Sequence, residues 1–169
     1  MTRRIVLFAT ILLAITVPVP AATPAFWNDL SPDAQIVERV AGYLAPHRLD
    51  STLSWVQVSY ELDSAKDAVN RMAATMDRYA SSSAPEEREA VERTLPLLKQ
   101  VSMDTTMALE SLDQLRPLPV NARLREALVK LDASAHQLAR TVSDSNKLEK
   151  LRATAARLQG ELSLRSLPR

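Results

Sequence analysis

The chain has 169 residues, no cysteine, two glycines and a formal net charge of +1, from 21 Lys and Arg against 20 Asp and Glu. The lack of cysteine excludes disulfides, Cys-ligated zinc, haem attachment through Cys-x-x-Cys-His, thiol redox chemistry and a Cys-anchored lipid. Glycine is too scarce for a hairpin-rich or mixed fold and aromatics make up only 4%, while Ala, Leu, Glu, Arg, Gln and Met dominate, so the composition points to an all-α protein.

The N-terminus has the three parts of an export signal in order. Arg3 and Arg4 supply positive charge, Ile5 to Val17 is an uncharged apolar run, and Pro18 and Pro20 break it before small residues. Residues 1–25 are therefore expected to be a secretory signal peptide, cleaved after about Ala21 or Ala25. The apolar run falls short of the roughly 20 residues a spanning helix needs. Removing Arg3 and Arg4 leaves 19 basic and 20 acidic residues, a net charge of −1, so the sequence pI of about 8.1 is no sign of nucleic-acid binding. No later segment is apolar enough to span a bilayer, and no stable membrane insertion is expected after cleavage. The expected location is periplasmic or secreted, and residues 26–169 form a single domain with a frayed tail after about 163.

Residues 22–30 read as an extended leader carrying Phe26 and Trp27. Ser31-Pro32 reads as an N-cap followed by proline at the first helical position. A short helix follows to about Leu44, with Ile36, Val37, Val40, Tyr43 and Leu44 on one face, and Pro46 ends it. Asp50, Ser51 or Thr52 is the expected cap of the next helix. Its apolar positions Trp55, Val58, Leu62, Ala65, Val69, Met72, Met76 and Tyr79 step by threes and fours, a heptad seam.

The turn is Ser81-Ser82-Ser83-Ala84-Pro85, where Ser83 and Glu86 form a capping-box pattern. The third helix carries a weaker seam, Val91, Leu98, Val101, Thr105, Ala108, Leu112 and Leu115, with Thr94 at the missing position and Pro96 inside. Proline there is expected to kink the helix. Helices over about 50–81 and 84–115, similar in length and joined by a short turn, predict an antiparallel hairpin.

Pro117-Leu118-Pro119 is a stiff corner. The fourth helix starts near Val120 or Asn121 with the seam Leu124, Leu128, Leu131, Ala135, Leu138 and Val142. A second seam, Leu148, Leu151, Ala155, Leu158 and Leu162, is offset by one residue. The slip falls at Ser143–Asn146, and one long helix is favoured over a break. The fold expected is an all-α antiparallel bundle built on the long hairpin, with a short N-terminal and a long C-terminal helix. Residues 26–120 hold 9 basic and 15 acidic residues (−6), and residues 121–169 hold 10 and 5 (+5). This complementarity predicts charges bridging the hairpin and the last helix.

Few residues carry chemistry. His47 and His136 stand alone, with no His-x-x-x-His or Glu-x-x-His pairing for a helical metal site. No nucleophile elbow, phosphate-binding glycine loop or carboxylate–histidine cluster is present. No enzymatic activity and no cofactor are expected. Met72 and Met76 lie in the core seam, whereas Met103 and Met107 point away from it onto a second face of the third helix. That face is expected to pack on the first or fourth helix. Thioethers suit Cu(I), so Met103 and Met107 are also the candidate metal ligands.

The function expected is an exported helical-bundle binding or scaffold protein acting through protein–protein contact or self-association. A small-ligand or Cu(I)-binding bundle using methionines is the second reading, and a small periplasmic chaperone the third, although the Leu-Thr-x-x-Gln repeats of stress-responsive periplasmic chaperones are missing.

Overall fold

The computed structural model describes residues 25–45, 54–114 and 122–165, with side-chain environments to residue 162. Most of the expected signal peptide lies outside the described residues. So do Pro46, His47, the caps proposed at Asp50, Ser51 and Thr52, Leu115, and the Pro117-Leu118-Pro119 corner. Among the described residues there are four helices, α1 (Ala25–Tyr43), α2 (Trp55–Ala80), α3 (Pro85–Asp113) and α4 (Ala122–Arg165), and no strand.

The helices pack in a ring, with α1 and α3 each lying against α2 and α4. Cross-helix bonds set the directions. Asp33 bonds Arg71 and Asp29 bonds Tyr79, so α1 and α2 run antiparallel. Trp55 Nε1 donates to the Leu112 carbonyl across α2 and α3, and Arg123 donates to Gln114 across α3 and α4. His136 meets Glu38, and Asn146 donates to Asn28, across α4 and α1. Every neighbouring pair is therefore antiparallel, the up-down-up-down arrangement that short connections favour.

The α2 seam points inward as its spacing demands. Val58, Leu62, Ala65, Val69, Met72 and Met76 are buried, and Trp55 and Tyr79 pack against the core edge. Ser54 caps α2 through a reciprocal box: its hydroxyl accepts from the Gln57 N–H at 3.2 Å, and Gln57 Oε1 accepts from its own N–H at 3.0 Å. In α3, Val91, Leu98, Val101, Thr105, Ala108 and Leu112 are buried, and so is Thr94. The Thr94 and Thr105 hydroxyls bond back to the Ala90 and Val101 carbonyls at 2.8 Å, which satisfies them inside the apolar seam. Helix α3 continues through Pro96, which faces solvent.

Two helix starts differ from expectation. Helix α1 begins at Ala25, not after Ser31, and Pro32 lies inside it. Residues 25–30 of the segment read as an extended leader belong to the first turns of α1, with Phe26, Trp27 and Leu30 buried, and residues 22–24 lie outside the described residues. An internal proline costs about 3 kcal/mol. Burying a large apolar side chain contributes about 1.5–3 kcal/mol, so these three outweigh the proline. Tyr43, placed on the buried face by spacing, is exposed. Helix α3 begins with Pro85 at its first turn, so its N-cap is Ala84 and the Ser83–Glu86 box does not form. Glu86 and Glu87 in the first turn compensate by their charge against the helix dipole.

Helix α4 runs unbroken through Ser143–Asn146. Its basic side chains pair largely within the helix, in Lys130–Glu126, Arg140–Asp144, Lys147–Asp144, Arg152–Glu149 and Arg157–Glu161. The expected bridging of the acidic hairpin by α4 is thus not the main pattern. The clearest ion pairs between helices, Arg71–Asp33 at 2.7 Å and Arg78–Asp29 at 3.7 Å, join α1 to α2 instead.

Candidate interaction surface

Helix α4 has 44 residues against 19 in α1 and 29 in α3, the two helices it packs on. At 1.5 Å per residue it is about 66 Å long beside neighbours of about 29 and 44 Å, so one end must project. The links Glu38–His136 and Asn28–Asn146 hold one antiparallel register, which brings Ala25, the start of α1, level with Glu149. Beyond that level no described residue of α1 lies alongside α4. Burial follows this geometry: Leu124, Leu128, Leu131, Ala135, Leu138 and Val142 are buried, Glu149 is the last buried residue, and every residue from Lys150 to Leu162 is exposed.

The slip between the two seams now has a structural meaning. Seven residues past Val142 is Glu149, which continues the inward face and is 5% exposed. Leu148 lies one residue earlier, about 100° around the helix. The second seam therefore leaves the bundle's inward face just where the bundle ends. Leu148, Leu151, Leu158 and Leu162 are 53%, 68%, 49% and 66% exposed. Together with Ala155 they form an apolar stripe on a free helix. Isolated exposed leucines are ordinary, whereas these are contiguous at heptad spacing.

Charge distinguishes this projection from the rest of the molecule. Residues 147–165 hold five basic residues (Lys147, Lys150, Arg152, Arg157, Arg165) and two acidic ones (Glu149, Glu161), a net of +3. At its base Glu149 Oε1 accepts from Arg152 at 2.8 Å. Glu149 Oε2 and Asn146 Oδ1 are buried without a hydrogen-bond partner among the described residues. Sequence reading missed Glu149 as a buried group. Its signal was the heptad step from Val142, which lands a carboxylate on the inward face.

Met103 and Met107 are 57% and 40% exposed and lie on the outer side of α3. The expectation that this face packs on α1 or α4 is corrected by the ring topology: α3 meets α2 and α4 through its opposite side, and α1 lies diagonally across the bundle. The two methionines share a shallow open depression with Lys99, Ser102, Thr106 and Glu110. This places two thioethers together and adds no third soft donor. Met72 and Met76 are buried in the core, and His136 is exposed with its Nδ1 at 2.9 Å from Glu38. Among the described residues no group of three or more His, Cys, Asp and Glu is arranged to hold a metal ion, and no helix is long and apolar enough to cross a membrane.

Comparison with protein-family models, with curated proteins and with solved structures finds no match to this chain.

Proposed function

We propose that this protein is an exported, extracytoplasmic helical-bundle module that works without catalysis, through protein–protein contact, and that the projecting end of α4 is its contact face. One observation carries the reading: the leucine stripe from Leu148 to Leu162 stands free of the bundle on a helix that continues past its last buried residue, Glu149, to Arg165. The compact half of the molecule supports it. It closes its own core, so the bundle serves as a rigid base that presents one amphipathic helix, a recurrent way of recognising protein partners. The export reading rests on the charged, apolar and proline-broken pattern of residues 1–25.

Chemical crosslinking of the mature chain in a periplasmic extract, followed by affinity capture, tests this reading. Adducts are expected with the natural chain and are expected to disappear in a Leu151→Asp/Leu158→Asp variant. Identical adducts from both chains would contradict the assignment of the stripe as the contact face.

A further inference from the structure

Resting on the export reading of residues 1–25, we infer that Asn146 and Glu149 form a seat for the α-ammonium of the processed chain, and that processing cuts between Ala25 and Phe26. Two buried oxygens at the foot of the α4 projection, Asn146 Oδ1 and Glu149 Oε2, lack a hydrogen-bond partner among the described residues. An amide oxygen and an ionised carboxylate oxygen are both acceptors, and Glu149 is 5% exposed. Its other oxygen accepts from Arg152 at 2.8 Å, and the Asn146 amide nitrogen donates to Asn28 at 3.1 Å. The group that completes this pair must therefore bring hydrogens, and beside a buried carboxylate it must bring positive charge. A divalent cation takes about six oxygens or more, and this pair offers far fewer. An ammonium has three hydrogens and is satisfied by such a pair together with solvent.

The chain supplies that ammonium at the right level. The Glu38–His136 and Asn28–Asn146 links set Ala25 level with Glu149, so Phe26 falls between the levels of Glu149 and Asn146. Thr23-Pro24-Ala25 has small residues at cleavage-compatible spacing. An export peptidase that hydrolyses the bond after Ala25 adds one water across the amide. The C–N bond breaks, the water oxygen stays on Ala25 as its carboxylate, and both hydrogens go to the Phe26 nitrogen, which becomes the α-ammonium. The cut precedes folding, because in the finished fold this bond lies within α1. Phe26 then becomes the first residue, and its ring is held edge-on by Trp27 at 4.8 Å and Tyr79 at 5.2 Å between centroids, which fixes the new terminus in place. A positive charge at a helix N-terminus opposes the helix dipole, and Glu149 offsets it from across the α1–α4 boundary. A cut after Ala21, the other candidate, leaves the ammonium four residues further from the seat.

The full chain is expressed with its export segment in a bacterial host, and the product is sequenced from its N-terminus. Phe26 is expected as the first residue of the periplasmic protein. Ala22 there would overturn the seat and leave the export reading standing, whereas an uncut chain kept in the cytoplasm would remove both. Chains released from a tag to begin at Phe26 or at Ala22 are then compared, each with and without Glu149→Gln, by urea unfolding and NMR titration of the α-amino group. Asp29 on α1, Arg78 on α2, Glu87 on α3 and Arg152 on α4 also charge this end of the bundle. They are common to all four chains, so the comparison isolates Glu149. In the chain beginning at Phe26, Glu149→Gln is expected to lower the urea midpoint and to lower the α-amino pKa by about one unit or more. In the chain beginning at Ala22 it is expected to leave the midpoint level or higher and the amine unmoved. The same effect in both chains would overturn the proposal and leave Glu149 a carboxylate served by Arg152 and solvent alone.

Discussion

Tyr79 donates its phenolic hydrogen to Asp29 Oδ2 at 2.9 Å, tying the last turn of α2 to the first turns of α1. The same ring meets Phe26 edge-on at 5.2 Å between centroids, and Arg78 lies 3.7 Å from the Asp29 carboxylate. Burial raises the Tyr79 phenol above its ordinary value, and the hydrogen bond and charge of Asp29 raise it further.

A group raised in the folded state stabilises the fold fully below its unfolded value, about 10 for tyrosine, and loses that contribution as pH rises through the folded value. Alkaline unfolding should therefore steepen above pH ~10 and lose this component in Tyr79→Phe. At neutral pH the same substitution should cost at most about 1 kcal/mol, since the bond is partly solvated. Phenolate absorbance across a pH titration, paired with urea unfolding, measures both.

The start of α1 is core. Phe26→Ala or Trp27→Ala should cost about 3–5 kcal/mol, as expected for a large buried aromatic. Urea midpoints of the natural and substituted chains decide this. A loss below about 1 kcal/mol would be the value for an exposed leader.

Methionine oxidation should separate the two pairs. Met103 and Met107 are exposed, whereas Met72 is 0% and Met76 2% exposed. Brief peroxide treatment followed by peptide mass spectrometry should show sulfoxide at Met103 and Met107 and protection at Met72 and Met76. Met103→Leu/Met107→Leu should leave stability within about 0.5 kcal/mol, as at other surface positions.

In the whole chain, Glu149 sits at the base of the projection with one carboxylate oxygen buried and without a partner among the described residues. Its bond to Arg152 involves a side chain that is 64% exposed. Glu149→Leu should therefore raise stability by about 1 kcal/mol or more, because an unsatisfied buried oxygen is removed at the loss of a weak ion pair. Chemical denaturation of the variant reads the sign directly.

The seams were the legible part of the fold. Val58 to Met76 and Leu124 to Val142 are buried as spaced, because heptad spacing and burial are the same geometric fact on a packed helix. The start of α1 was not legible. Ser31-Pro32 is a strong local start signal, and only the tertiary burial of Phe26 and Trp27 overrides it. The α2 cap fell on Ser54 rather than on residues 50–52, since several adjacent polar residues satisfy a capping pattern equally well in sequence. The two leucine seams of α4 were both visible, but sequence alone treats them alike. Which one is covered depends on where α1 begins, a distance between helices that no local pattern encodes. Met103 and Met107 were misplaced for the same reason, since ring order decides which side of α3 meets solvent.

If α4 beyond Glu149 serves contact with another chain, site-specific photocrosslinking in the intact cell tests it most directly. A benzophenone side chain is placed at position 151 in the stripe or at position 125, which is exposed on the bundle. A defined covalent adduct, to a second copy or another protein, is expected from position 151 and none from position 125. No adduct at 151, or equal adducts at both positions, would contradict the assignment.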